Sequence, residues 1–167
     1  MRRREVVKVS EVIGRKVTVR ESGEEVGKVK DVVVDSTGKQ VIGFVVSTGL
    51  VSSSKVAPWA ALQAIGPDAV VLNAASSVVK ADEVADIKAM LDKKIEIRGL
   101  QLQTTDGKEL GKIDDYRFDD RTGVIEGFEL AGGLFSRRSF LPVPASIELG
   151  KDLAFVGPEA EETITKA

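Results

Sequence analysis

The sequence predicts an all-β fold of two tandem small β-barrels joined by a short α-helix. Three observations carry this. The stretch GKVKDVVVDSTGKQVIGF at 27–44 returns as GKIDDYRFDDRTGVIEGF at 111–128, at a constant offset of 84 (111 − 27). Each half is a series of short β-branched runs separated by Gly, Pro and Asp, and one segment with helical periodicity lies between the halves.

The repeat holds without a gap from Gly27 to Leu72 in the first copy. Its identities are mainly turn residues, among them Asp31, Asp35, Gly43, Gly49, Pro58 and Gly66, which match Asp115, Asp119, Gly127, Gly133, Pro142 and Gly150. Upstream the offset becomes 85, Gly14 matching Gly99, because the loop RESGEEVG has lost one residue in TTDGKELG. A surface hairpin loop is where a β unit tolerates such a deletion.

In the first copy the predicted strands are 16–20, 26–34, 41–48, 55–57 and 69–72; in the second they are 100–104, 109–118, 124–131, 139–141 and 153–156. Spacing of about 8–12 residues between turn signals argues a small barrel or sandwich. The run VKDVVVD alternates only partly, as expected where a strand of a small barrel packs at both ends. Asp35-Ser-Thr-Gly38 and Asp119-Asp-Arg-Thr-Gly123 read as hairpin turns, with Asp capping and Gly supplying positive φ. Between the copies, KADEVADIKAMLDKK places Val84, Ile87 and Leu91 at three- and four-residue spacing, with acids early and lysines late. That predicts a helix of about 10–12 residues, too short to stand alone and therefore packed on a barrel. The expected organisation is a first barrel over 1–79, a linker helix over 80–93 and a second barrel over 94–167.

Composition narrows the chemistry. Of 167 residues 43% are hydrophobic and 30% charged, enough to build a core. Cysteine and histidine are absent, which excludes disulfides, thiolate nucleophiles, Ser-His-Asp triads and zinc or iron–sulfur centres built on those ligands. The net charge of −2 does not suggest a general affinity for nucleic acid, and no direct DNA binding is expected. Residues 1–79 carry +3 and residues 80–167 carry −5, which leaves open docking between halves, head-to-tail homo-oligomerisation, or simply uncorrelated surface charge. No window approaches the roughly 20 apolar residues of a transmembrane segment, so the expected location is cytoplasmic.

The order GRKVTV, GKVKDVVVD, VIGFVV, TGL, VAP, IGPDAVVL in the first copy, and GLQLQT, GKIDDYRFD, VIEGFEL, GGL, FLPV, LGKDLAFV in the second, resembles the PRC-barrel, a six-stranded β-barrel module. The module forms the cytoplasmic domain of the H subunit of photosynthetic reaction centres, the second domain of a ribosome maturation factor and parts of archaeal cell-division proteins. The resemblance implies a non-catalytic docking piece with no cofactor.

Four constellations in the sequence bear on chemistry or binding. Ser52-Ser-Ser-Lys55 matches the Ser-x-x-Lys string of penicillin-binding enzymes, but no Lys-Thr-Gly strand accompanies it and a solvated loop is expected. Asp31, Asp35, Asp115, Asp119 and Asp120, with Glu126, do not follow calcium-loop spacing; structural capping is expected and no metal site is assigned. Arg2-Arg3-Arg4 reads as a solvated tail. The binding candidate is AGGLFSRRSFLPVP, where Leu134, Phe135 and Phe140 flank Arg137 and Arg138, together with Lys55 and Trp59 of the aligned first-copy stretch. Arginine beside aromatics is typical of interface hot spots. The other reading buries Leu134, Phe140, Val56 and Trp59 in the core and leaves the arginines solvated.

The expected function is therefore that of a non-enzymatic adaptor docking on a protein or ribonucleoprotein partner. The alternatives are a barrel binding an anionic small molecule between the copies, and a self-associating structural protein.

Overall fold

The computed structural model describes residues 5–49, 55–132 and 138–166, and it is mostly strand. The first copy supplies β2 (Lys16–Val19), β3 (Glu24–Val34), β4 (Val41–Ser47), β5 (Lys55–Pro58), β6 (Leu62–Ile65), β7 (Ala69–Leu72) and β8 (Val79–Lys80), preceded by β1 (Val6–Lys8) and a single helical turn, α1 (Val9–Val12). After the helix α2 (Ala85–Asp92), the second copy supplies β9 (Gln101–Thr104), β10 (Glu109–Asp119), β11 (Ile125–Ala131), β12 (Ser139–Pro142), β13 (Ile147–Leu149), β14 (Leu153–Val156) and β15 (Thr165–Lys166).

Each copy curls into its own sheet with the same order: β6-β7-β2-β3-β4-β5-β8 in the first, β13-β14-β9-β10-β11-β12-β15 in the second. In each sheet one pair is parallel, β2 with β7 and β9 with β14, and the remaining pairs are antiparallel. The predicted strands lie within two residues of those observed, and the short strands β1, β6, β8, β13 and β15 come in addition.

The repeated aspartates do two jobs. Asp35 accepts from the Lys39 N–H at 3.1 Å, and Asp119 from those of Arg121 at 2.8 Å and Thr122 at 3.1 Å, so both cap turns. Asp31 and Asp115 instead sit where β3 and β10 break register against β4 and β11. There each carboxylate accepts the N–H of the next residue, Val32 at 2.8 Å and Tyr116 at 2.9 Å, which satisfies a backbone donor that the bulge takes out of the ladder.

The two barrels share one apolar core. Val17, Val32, Val34 and Phe44 belong to the same buried cluster as Leu102, Phe118, Phe128 and Leu130. Trp59 stands at the seam, its ring 6.1 Å from that of Phe44 and 6.1 Å from Phe118, meeting the latter edge-on. Strand β1 crosses to the second barrel and pairs antiparallel with β10, Val6 opposite Asp119 and Lys8 opposite Arg117. Asp120 reinforces this, accepting the Glu5 N–H at 3.1 Å through its carboxylate while its own N–H donates to the Glu5 carbonyl at 2.9 Å.

Helix α2 spans eight residues and buries Ile87 and Met90; the predicted stripe of Val84, Ile87 and Leu91 packs on the barrel, with Val84 and Leu91 partly buried and Met90 added to it. Ile87 and Met90 close a second, smaller apolar cluster with Val33, Val45 and Val56 on the outer face of the first sheet. This explains the poor alternation of VKDVVVD: Val32 and Val34 point into the barrel core and Val33 points to the helix, so all three are buried. Gly43 lets the helix come close, since a Cβ there would stand 2.7 Å from Ile87 Cδ1.

Candidate functional site

The same outer face is built differently in the second barrel. At the offset of 84, Val33, Val45 and Val56 are replaced by Arg117, Glu129 and Phe140. These three side chains meet on adjacent strands, because Arg117 on β10 pairs with Gly127 on β11 and Glu129 pairs with Phe140 on β12. Where Gly43 makes room for Ile87, its equivalent Gly127 makes room for the Phe140 ring, whose Cε1 would lie 2.8 Å from an added Cβ. The Arg117 guanidinium lies over that ring, 4.5 Å from its centroid.

Glu129 is the hub. Its side chain is 2% exposed and receives Arg117 Nε at 3.0 Å, Lys8 Nζ at 3.3 Å and Arg138 at 3.7 Å. Lys8 arrives on β1, directly opposite Arg117, so the carboxylate bridges two cations that would otherwise repel across the strand pair. Arg138 is 62% exposed and also binds Asp114 at 2.8 Å. The face is thus a fixed, partly exposed cationic and aromatic patch of Lys8, Arg117, Arg138 and Phe140 standing on one buried carboxylate.

Of the sequence-predicted site residues, Arg138 and Phe140 belong to this patch. Leu134, Phe135 and Arg137 lie outside the described residues, as do Ser52 and Arg2-Arg3-Arg4. Lys55 is half-buried on β5 of the first barrel, paired opposite Lys80, and Trp59 is packed at the seam, so neither joins the patch. Sequence reading missed Arg117, Glu129 and Lys8. The signal was present at the repeat offset, where three valines change to a cation, an anion and an aromatic. Among the described residues, no group of three or more Asp or Glu side chains converges as a metal site, and no helix is long and apolar enough to cross a membrane.

The family model for the PRC-barrel domain matches residues 4–79 and again 95–161. The chain belongs to the PRC-barrel family. No curated protein matches it. The first matched segment covers the first sheet up to Val79 together with the crossing strand β1, the second covers the second sheet except β1 and β15, and the segment between them holds helix α2. In this PRC-barrel protein the duplication has left one outer face apolar and roofed by α2, and the other polar, with no helix over it among the described residues.

Proposed function

We propose that this tandem PRC-barrel protein is a non-catalytic adaptor that docks a protein or ribonucleoprotein partner through the outer face of its second barrel. One observation carries the reading. The face that α2 covers in the first copy is, in the second, rebuilt as an ordered cation–aromatic surface resting on the buried Glu129. A buried carboxylate contributes little net stability over an apolar residue of similar size, and the equivalent position in the first barrel holds the buried Val45, so the presence of Glu129 is better explained by what it orders above it. Arginine held over an aromatic ring loses little freedom on binding, which favours affinity.

The experiment is affinity capture of the full chain from cell extract with quantitative mass spectrometry, comparing wild type with Arg138→Glu and with Arg137→Glu/Arg138→Glu. Loss of the same partners from both variants supports the face. An unchanged set of partners places docking elsewhere.

A further inference from the structure

The internal repeat exposes a second recess. In the second barrel the edge of β10 is occupied: β1 adds a strand over Arg117–Asp119, and beyond it Ser10 donates its N–H to Asp115 Oδ1 at 3.1 Å and its hydroxyl to Asp115 Oδ2. The equivalent edge in the first barrel is β3 from Lys30 to Val34, 84 positions earlier. That stretch has β4 on one side, and among the described residues no strand pairs with its other side beyond Lys28. The stretch equivalent to β1 and α1 has become the end of α2 and the turn after it. Lys94 takes φ +53°, and the residue aligned with Ser10 in the repeat is Ile95, a recess wall with no hydroxyl to offer Asp31.

What remains is a recess of about 330 Å³ along the open edge, walled by Ile13, Met90, Ile95 and Ile97. Two polar groups face into it, Asp31 at its exposed mouth and Tyr116 at its inner end. Asp31 receives only the Val32 N–H, whereas Asp115 holds that bond and two more from Ser10. Tyr116 reaches in from the second barrel; it is 3% exposed, and no hydrogen bond to another described residue satisfies its hydroxyl. Lys30 and Arg98 balance Asp31 and Glu96 around the mouth, so selection here rests on apolar contact and hydrogen bonding rather than on net charge.

We infer that this recess is a docking slot for an extended segment of a partner protein, added antiparallel to β3 as a strand and seating a Ser or Thr hydroxyl on Asp31. The occupant's chemistry is read from the copy that is filled. Val7 and Val9 are buried and Ser10 follows, which specifies apolar-x-apolar-Ser/Thr. Strand addition supplies the main-chain hydrogen bonds, and the alternate side chains set specificity. The slot lies on the first barrel and is independent of the patch around Glu129.

The test is titration of 15N-labelled full-length protein with a capped peptide of residues 5–12, EVVKVSEV, followed by amide chemical shifts. The inference expects saturable shifts over Lys30–Val34 and at Arg98. It also expects about a tenfold weaker Kd when the peptide serine becomes alanine or when the protein carries Asp31→Ala, as for loss of a hydrogen bond to a charged group. Arg138→Glu should leave the titration unchanged. Absence of shifts at millimolar peptide overturns the inference. Shifts confined to Asp115–Asp120, which would mark displacement of β1, also overturn it, as does binding indifferent to both the serine and Asp31.

Discussion

Gln40 and Val124, equivalent positions 84 apart in the duplicated sequence, meet each other in an antiparallel β-bridge. The bonds around them are equivalent too: the Val41 N–H donates to the Gly123 carbonyl at 2.8 Å, and the Ile125 N–H donates to the Lys39 carbonyl at 2.8 Å. Each donor and acceptor maps onto the other at the same offset, so the two copies contact through a self-complementary patch on a local two-fold axis. That is the geometry of a symmetric dimer interface held within one chain.

The contact is tight, and Gly123 is its most sensitive point. It has φ +75°, and a Cβ would stand 2.7 Å from Gln40 Nε2, 3.0 Å from the Val41 carbonyl oxygen and 3.2 Å from the Trp59 ring. Gly107 has φ +94° with nothing within 4 Å. Gly107→Ala should therefore lose only the backbone term of about 1–2 kcal/mol, while Gly123→Ala loses at least about 1 kcal/mol more through displaced neighbours. Urea unfolding of the two variants makes the comparison; equal losses would mean the seam is loose.

Glu129→Gln tests the hub of the second-barrel face. The neutral amide keeps the shape but gives up the charge that holds Arg117, Lys8 and Arg138 together. A loss of about 2 kcal/mol is expected, the scale of hydrogen bonds to a charged group, because the cations are exposed enough to turn to solvent. Denaturation at low and high salt reads it, and the deficit should shrink as salt screens the wild-type pairs.

Local chemistry was legible in the sequence, and long-range pairing was not. Turn aspartates and glycines, β-branched runs and the offset of 84 each report on a few neighbouring residues, and they placed the main strands of both barrels. Strand β1 carries three residues whose partner on β10 lies more than 100 positions away, so nothing near Val6 announces Asp119. Leu62–Ile65 and Ile147–Leu149 are edge strands of four and three residues, with too little alternation to stand out. Two residues of the proposed face, Arg138 and Phe140, were among those the sequence singled out. The rest required comparing outward positions between copies, since Glu129 taken alone reads as one more surface acid.

Trp59, the only tryptophan, reports on the seam, because its ring touches Phe44 in one barrel and Phe118 in the other. A core continuous through both barrels should unfold in one cooperative step. Tryptophan fluorescence and far-UV circular dichroism are expected to give the same urea midpoint. A fluorescence change that precedes loss of strand signal would show the barrels separating before either melts.

Tyr116 is the only tyrosine, which makes its ionisation directly observable. Burial pushes its pKa well above the ordinary 10.0, the Asp31 and Asp115 charges add to the rise, and Arg98 opposes it. A group raised in the folded state contributes stability that is complete below its unfolded pKa and is lost as pH climbs through the folded one. Absorbance at 295 nm should therefore show no phenolate near pH 10 in the native protein, and ionisation should coincide with alkaline unfolding. In denaturant the same residue should titrate near 10.

Asp31→Asn should stabilise the protein at neutral pH. The residue is exposed at the mouth of its recess, yet the surrounding walls desolvate the carboxyl and raise its pKa above 3.8; Glu96 adds to the rise, while the Val32 N–H, Arg98 and Lys30 oppose it. By the same linkage the protonated form is the one the fold prefers, so its contribution is complete below 3.8 and is lost as pH rises. Asparagine keeps an acceptor for the Val32 N–H and removes the charge. The melting temperature of Asp31→Asn should exceed wild type at pH 7, and the two should converge near pH 3. A variant less stable at pH 7 would mean that Arg98 and Lys30 outweigh desolvation.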